Sequence, residues 1–122
     1  MAEHNKLGKK GEEIAARYLR GLGYKIVEQN WRHEKDEIDL IAFDGRFLVI
    51  IEVKTRSTSF FGDPEEAVTD KKRRFLIRAT EAYLEKKDLY NEVRYDIISI
   101  IIENREERIK HIKDAFYPTL YD

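Results

Sequence analysis

Two carboxylates and one lysine are the residues of this sequence best suited to chemistry. Asp39 lies in an apolar stretch, and Glu52-Val53-Lys54 ends a second apolar stretch further along the chain. Hydrolysis of a phosphodiester bond needs a hard cation held by oxygen ligands and a positive group near the attacking water. Asp39, Glu52 and Lys54 supply these groups in their simplest form, so they are a candidate catalytic site.

A simpler explanation competes with this one. In a chain of which 39% of the residues are charged, an Asp followed later by Glu-x-Lys arises easily by chance. The end of a strand that is exposed to water would also carry such charges. The two explanations differ in whether the three side chains are brought together.

The elements around these residues predict that they meet. Residues 38–43 and 46–54 are predicted strands, and Asp44-Gly45 between them is a dipeptide typical of hairpin turns. The apolar run that precedes Glu52 is typical of a central strand. The two charges of Glu52 and Lys54 then emerge where the sheet meets a cleft or water.

Two possible registers of this hairpin place the three candidate residues close together. A two-residue turn at Asp44-Gly45 pairs Asp39 with Ile50, diagonal to Glu52, whereas a four-residue loop pairs Asp39 with Glu52 directly. Because side chains on a strand alternate with a period of two, Asp39, Glu52 and Lys54 share one face in both registers. A three-residue loop would need a bulge to preserve the arrangement.

The rest of the chain predicts a mixed central β-sheet flanked by helices, of the α/β or α+β class. Residues 1–122 form a single predicted domain, with the tail after about residue 114 left unassigned. The other predicted elements are a helix over 7–22 ended by a left-handed Gly23, a strand over 24–31, a loop over 55–63, a helix over 65–86, and strands over 93–102 and 109–113.

Composition limits the partners and the compartment. Lys and Arg total 23 and Asp and Glu total 24, so the net charge of −1 gives no global attraction to nucleic acid, and binding needs a local basic patch. The absence of cysteine excludes disulfides and thiolate metal sites. The first residues lack the apolar core of a signal peptide, and no apolar run is long enough to span a bilayer. We expect a soluble cytoplasmic protein without a membrane partner.

Several basic and aromatic residues are secondary candidates. Arg56 is the preferred phosphate contact because arginine binds phosphate in bidentate fashion, and the residues that could rim the cleft with it are Lys9, Lys10, Arg32 and Lys72. The run Lys71-Lys72-Arg73-Arg74 as a whole is most simply a solvated helix face. Phe60 and Phe61 are interpreted as loop anchors, with a base-stacking platform as the alternative. The three histidines show no metal-ligand spacing and are taken as ordinary surface or strand residues: His4, His33 and His111.

Segments along the chain resemble the PD-(D/E)xK nuclease superfamily, whose motif is an Asp and an (Asp/Glu)-x-Lys on adjacent strands. They are Glu37 to Ala42 around Asp39 and Glu52 to Arg56, although Ile38 stands where the superfamily often has proline. Gly8 to Glu12 with Gly23-Tyr24 is similar to the first helix of archaeal-type Holliday-junction resolvases. The similarity is closer still to the bacterial YraN-like family. Over about residues 6–116, the further segments that carry it are Asn30-Trp31-Arg32, Ala67-Val68-Thr69 and Tyr95 to Ile98.

This resemblance implies a restriction-endonuclease-like fold and a metal site. By the resemblance, Asp39, Glu52 and the Val53 carbonyl hold Mg²⁺, for which Mn²⁺ can substitute. Glu12 is the helix carboxylate that completes the shell, and Lys54 orients or helps to deprotonate the attacking water. Glu37 is interpreted as a solvent-facing partner rather than a ligand.

The function that follows is a Mg²⁺-dependent endonuclease acting on nucleic acid, with DNA favoured over RNA. Branched or structured DNA and a homodimer enter by analogy with the resolvases, which work as symmetric dimers. A non-catalytic nucleic-acid-binding module and an assembly protein are the alternatives. Metal dependence separates the enzyme from the binding module, and salt-sensitive DNA binding separates the binding module from the assembly protein.

Overall fold

The computed structural model describes residues 2–57 and 68–118. The predicted order of elements, helix, three strands, helix, two strands, is confirmed. The elements are α1 (Ala2–Gly21), β1 (Lys25–His33), β2 (Asp36–Asp44), β3 (Phe47–Arg56), α2 (Asp70–Lys87), β4 (Val93–Glu103) and β5 (Glu106–Phe116). Most of them extend a few residues beyond their predicted bounds.

The five strands form one sheet in the order β1-β2-β3-β4-β5. β3 and β4 pair in parallel, and every other neighbouring pair is antiparallel. The sheet is therefore mixed, as predicted, and the α+β arrangement is consistent with a restriction-endonuclease-like fold. β3 lies in the middle of the sheet, which explains why its run from Leu48 to Ile51 is apolar on both faces.

The two helices cover opposite faces of the sheet. α1 packs Ile14, Ala15 and Leu19 against one face, whose core continues into Leu40, Ala42, Val49, Ile51, Ile98 and Ile100. α2 packs Leu76, Ala79 and Tyr83 against the other face, whose core continues into Ile38, Ile41, Leu48, Ile50, Tyr95 and Ile97. Each helix thus buries an apolar stripe on one side of a shared sheet.

The ends of the helices follow local signals in the sequence. Gly23 has φ +92°, and the N–H of Tyr24 donates to the carbonyl of Leu19, so the predicted left-handed end of α1 is confirmed. The start predicted for the second helix is wrong. α2 begins at Asp70, because the Thr69 side chain accepts the Lys72 N–H at 3.2 Å and caps the helix there. Residues 65–67 of that prediction lie outside the described residues.

The hairpin turn and the loop after β3 also differ from expectation. Asp44 pairs with Phe47, so the two-residue turn is Gly45-Arg46, with Gly45 at φ +57°. The predicted loop over 55–63 begins too early, because Thr55 and Arg56 belong to β3. Phe60 and Phe61 lie outside the described residues.

No helix in the described part of the chain is long and apolar enough to cross a membrane.

Candidate functional site

Asp39 and Glu52 meet where β2 and β3 part. The paired residues run from Asp44 with Phe47 to Leu40 with Ile51, and the next residues along the two strands are Asp39 and Glu52. This is the register that the four-residue loop would have produced, although the turn itself is shorter. The Val53 N–H donates to Oδ2 of Asp39 at 2.8 Å, so the Asp39 carboxylate reaches across to β3.

The two oxygens of Glu52 have different surroundings. Glu52 is only 4% exposed. Its Oε1 lies 3.5 Å from the Lys54 Nζ and 3.9 Å from the Lys72 Nζ, so ammonium groups from β3 and α2 share one oxygen. Its Oε2 is buried and has no hydrogen-bond partner among the described residues. A buried carboxylate oxygen left without a donor is costly, and such an exception calls for an explanation.

Asp39 is electrostatically strained beside Glu52. Burial raises the pKa of the Asp39 carboxyl to about 8, and the negative charge of Glu52 adds to the rise. The hydrogen bond from Val53 opposes the rise, and Glu12 and Lys72 make smaller contributions of opposite sign. Two carboxylates that share a poorly hydrated space favour a proton or a cation between them.

Glu12 approaches the site from α1 and is held by Asn30. The Asn30 amide donates to Oε1 of Glu12 at 2.7 Å and to Oε1 of Glu37 at 3.0 Å. Asn30 adopts a left-handed backbone at φ 51°, a conformation that asparagine tolerates better than most residues. Glu37 also pairs with Arg32 at 3.1 Å. The Glu37 side chain, which was interpreted as facing solvent, therefore has two specific partners in the structure.

A cavity of about 270 Å³ opens between α1 and the end of β3. The two elements are in close contact near this cavity, because a Cβ on Gly11 would lie only 2.7 Å from the Thr55 Cβ. Glu12 and Lys54 line the cavity, whereas Asp39 and Glu52 are not among its lining residues. Its lining residues are Leu7, Gly8, Glu12, Val53, Lys54 and Thr55.

The predicted phosphate contacts occupy several positions around this end of the sheet. Lys10 is exposed on α1, two residues before Glu12, and Arg56 is half-buried at the end of β3. Arg32 is exposed on β1 but is paired with Glu37. Lys72 lies at the Glu52 carboxylate, so it belongs to the centre of the site rather than to its rim alone.

The solvated-face interpretation of the basic run on α2 is wrong for two of its four residues. Lys71 and Arg74 are exposed, but Lys72 contacts Glu52. The Arg73 guanidinium lies 5.3 Å from the centre of the Phe116 ring, and its Nε is buried. Helical spacing alone could not show this, because the partners come from β3 and β5.

The acidic residues form a partial donor set for a metal ion. Among the described residues, no three His, Asp or Glu side chains come close enough to form a complete cage. Mg²⁺ keeps several waters and is commonly bound through only one or two carboxylates. The Oε2 of Glu52, which has no partner among the residues that the structure describes, and the neighbouring Asp39 carboxylate fit this kind of site.

Comparison with known proteins gives a consistent family assignment. Residues 11–100 match the model of a family described as "Uncharacterised protein family UPF0102". A "UPF0102 protein" of Phocaeicola vulgatus is 50% identical over 121 residues, covering 99% of this chain and 100% of the relative. One from Christiangramia forsetii is 50% identical over 117 residues, covering 96% and 98%. One from Rhodococcus opacus is 43% identical over 118 residues, covering 95% and 100%.

Proposed function

The chain belongs to the uncharacterised protein family UPF0102, the YraN-like family of the sequence resemblance, and we propose that it is a Mg²⁺-dependent endonuclease of the PD-(D/E)xK type. Its substrate is nucleic acid, with DNA favoured and with branched or structured DNA as the first candidates. It acts in the cytoplasm, and a homodimer would provide two sites for paired cuts.

The unpartnered oxygen of Glu52 carries this proposal. A structural carboxylate buried to this extent would be expected to use both oxygens, yet within residues 2–57 and 68–118 Oε2 has no donor, while Oε1 lies near two lysines. The Asp39 carboxylate beside it is disfavoured as an anion. A divalent cation bound by Asp39, Glu52 and the Val53 carbonyl would relieve both conditions, with Glu12 contributing directly or through water.

The remaining groups have defined roles in hydrolysis. When bound, Mg²⁺ polarises the phosphate and lowers the pKa of water. Lys54 orients the attacking water and stabilises negative charge on the phosphate oxygens. The water loses a proton to solvent as its oxygen forms a bond to phosphorus, the bond to the leaving sugar oxygen breaks, and that oxygen takes up a proton from solvent. Lys10, Arg32, Arg56 and Lys72 hold the flanking phosphates.

A cleavage panel tests the proposal. Linear, single-stranded, flapped and four-way DNA, and RNA, would be incubated with the wild-type protein in Mg²⁺, in Mn²⁺ and in EDTA. The Asp39→Asn and Lys54→Ala variants would be purified in parallel, with Lys110→Ala on the exposed edge of β5 as the matched lysine control. We expect metal-dependent cleavage that is lost in both site variants and retained in the control.

The other outcomes point to the alternative functions. Salt-sensitive binding without cleavage in either metal would contradict the enzyme and favour a non-catalytic nucleic-acid-binding module. Neither binding nor cleavage would favour an assembly protein. Cleavage that persists in both site variants would identify a contaminating nuclease.

A further inference from the structure

An aromatic pair lies on the outer strand of the sheet, close to the candidate site. The rings of Trp31 and His33 on β1 are nearly parallel, at 5° with centroids 6.2 Å apart. The Trp31 ring also makes an edge-to-face contact with Tyr83 of α2, with the two ring centroids 5.1 Å apart. Both residues are half-buried, so each keeps part of its surface accessible. Neither belongs to the predicted catalytic set.

The pair continues into a row of rings and cations along α2. His33 lies opposite Asp36, and the Arg78 guanidinium neutralises Asp36 through two hydrogen bonds of 3.1 Å. Arg78 also lies 4.8 Å from the centre of the Phe75 ring, and the Lys71 ammonium lies 5.7 Å from it. We name this surface the aromatic strip, defined as Trp31, His33, Phe75, Arg78 and Lys71.

The aromatic strip begins beside the site carboxylates. In the pairing of β1 with β2, Gln29 faces Leu40 and Trp31 faces Ile38, which places Asn30 beside Asp39. His33 lies three residues further along β1, and at the rise of a strand this separation is about 10 Å. That distance equals the rise of about three stacked nucleotides.

We propose that the aromatic strip binds unpaired bases of a nucleic-acid strand next to the candidate site. The inference rests on the proposed function for the presence of a strand, and it adds the class of substrate: one with single-stranded nucleotides beside the phosphodiester bond. Bases stack on aromatic side chains and on guanidinium planes regardless of sequence. DNA and RNA share this chemistry.

The charges of the surface favour a polyanion over an apolar partner. Arg78 has a side chain that is 55% exposed, and Lys71 is exposed as well. Two carboxylates near the aromatic strip are already paired, Asp36 with Arg78 and Glu28 with Tyr83 and Lys87. Rings interleaved with cations, and with neighbouring anions neutralised, are what a single-strand track requires.

The sequence provides a direct reporter for this surface. Trp31 is the only tryptophan in the chain, so its fluorescence reports on the aromatic strip alone. A 15-nucleotide oligo-dT strand, a 15-base-pair duplex and an oligo-rU strand would be titrated in EDTA, so that no cleavage intervenes. We expect quenching by the single strands at concentrations at which the duplex has little effect. Comparing oligo-dT with oligo-rU distinguishes DNA from RNA as the preferred strand.

Matched variants locate the contact. His33→Ala keeps the fluorophore and should weaken oligo-dT binding by about 5- to 100-fold, the range expected for loss of one stacked base. Tyr90→Ala is the control, because Tyr90 is an aromatic residue that is 91% exposed outside the aromatic strip, and its removal should change affinity less than about twofold. Lys71→Gln should lower the salt dependence of binding by about 0.7 in log–log slope, the value for one phosphate contact on a single strand.

The possible results separate this inference from the proposed function. Oligo-dT that binds without quenching Trp31, a duplex that quenches equally well, or His33→Ala binding as tightly as Tyr90→Ala would each overturn the inference. Cleavage in Mg²⁺ without any quenching would contradict base binding by the aromatic strip but would still support the endonuclease activity. If quenching persists in Asp39→Asn while the wild-type protein cleaves nothing, base binding by the aromatic strip is supported and the endonuclease activity is contradicted.

Discussion

The carboxylates of Asp39 and Glu52 are arranged for binding rather than for stability. One oxygen of Glu52 is buried without a donor in the described part of the chain, and Asp39 is held beside it with its pKa raised to about 8. Each condition opposes folding in the absence of a cation. Strain of this kind concentrates at functional sites, where the surrounding fold maintains it.

Asp39→Asn should therefore stabilise the metal-free protein. Asparagine can still accept the Val53 N–H but carries no charge, so we expect a gain of about 1–2 kcal/mol at pH 7 in EDTA, measured by urea unfolding. Because the Asp39 pKa is higher in the folded state than in the unfolded state, wild-type stability falls as the pH rises from about 4 to about 8. The advantage of the variant should grow over the same interval.

The same variant should lose its response to metal. Mg²⁺ should raise the melting temperature of the wild-type protein and leave that of Asp39→Asn unchanged. A variant that is less stable than wild type in EDTA, and that still responds to Mg²⁺, would show that Asp39 is a structural carboxylate.

At the residue scale, the sequence predicted which residues approach one another but not every partner. Asp39, Glu52 and Lys54 could be placed together because one hairpin connects them and strand side chains alternate. The contact of Lys72 with Glu52 could not be predicted, because it depends on how α2 packs on the sheet. Asn30 was visible only within the resemblance, and its left-handed backbone has no signal beyond asparagine itself.

At the element scale, the contact of α1 with β3 positions Glu12. A Cβ on Gly11 would lie 2.7 Å from the Cβ and 2.8 Å from the Cγ2 of Thr55, so glycine is required for this approach. Thr55 is short and β-branched and cannot move aside as a long side chain would. Any larger residue at position 11 must push α1 away from the sheet.

Gly11→Ala should destabilise the protein although alanine favours helices. We expect a loss of about 1–3 kcal/mol from overpacking, which exceeds the gain of about 0.5–1 kcal/mol in helix propensity. Gly8→Ala on the same helix is the matched control, because its Cβ would meet nothing within 4 Å, and it should stabilise the protein by about 0.5–1 kcal/mol. Thermal or urea unfolding measures both changes.

Removing the obstructing side chain should reverse the effect. In the Gly11→Ala/Thr55→Gly double variant, which also removes the Thr55 Cβ, we expect Gly11→Ala to cost much less stability than it does beside Thr55, and most of the Mg²⁺ response to return. Equal stability of Gly11→Ala and Gly8→Ala would contradict the close approach of α1 to β3.

Element boundaries were predictable where a local signal marks them. Gly23 ends α1 as expected, but the start of α2 was placed too early, at residue 65 instead of Asp70. Thr69 followed by Asp70 was the better signal, since Thr caps a helix and an acidic first turn favours its N-terminus. The strands run longer than predicted because polar residues such as Asp36 are satisfied by tertiary partners.

At the scale of the whole molecule, a largely buried polar network joins β2, β4 and β5 to α1. Arg94 of β4 donates to Asp96, to Asp44 of β2 and to the Tyr24 hydroxyl. The Nε2 of His111 in β5 lies 2.7 Å from the Asp96 carboxylate, and its Nδ1 lies 3.1 Å from the hydroxyl of Tyr18, a residue of α1. Nothing in the sequence predicted this role for His111, which was taken as an ordinary strand residue.

Asp96 should control the stability of the protein toward acid. Burial alone would raise the pKa of Asp96, but hydrogen bonds from His111, Arg94 and the Asp114 N–H outweigh burial and hold it below the ordinary value of 3.8. A lowered pKa contributes stability that is present above pH 4 and is lost as the pH falls through the folded value. Wild-type stability should therefore fall below pH 4.

Asp96→Asn tests this contribution. We expect a loss of about 3–5 kcal/mol at pH 7, because the buried Arg94 keeps its charge without its main partner, and a flatter stability curve below pH 4. Glu106→Gln on the exposed end of β5 is the control and should change stability by less than about 0.5 kcal/mol. Urea unfolding between pH 3 and pH 7 measures both, and equal curves for the two variants would contradict the role of Asp96.

The fold class was predictable because the order of helical and strand patterns leaves few arrangements of a single domain. The long-range network was not, because its members are scattered over the chain and carry no periodic signal. The same limit applies to the aromatic strip, which combines residues of β1 and α2 that only the packed sheet brings together.

The most direct test of the central claim is DNA cleavage by the Glu52→Gln variant beside the wild-type protein. Glutamine keeps the size of the side chain and removes the charge that would hold the cation. We predict that the wild type cleaves at least one DNA substrate in Mg²⁺ and not in EDTA, and that Glu52→Gln is slower by on the order of 1,000-fold. Equal rates for the two proteins, or wild-type cleavage that continues in EDTA, would contradict a metal-dependent endonuclease built on Glu52.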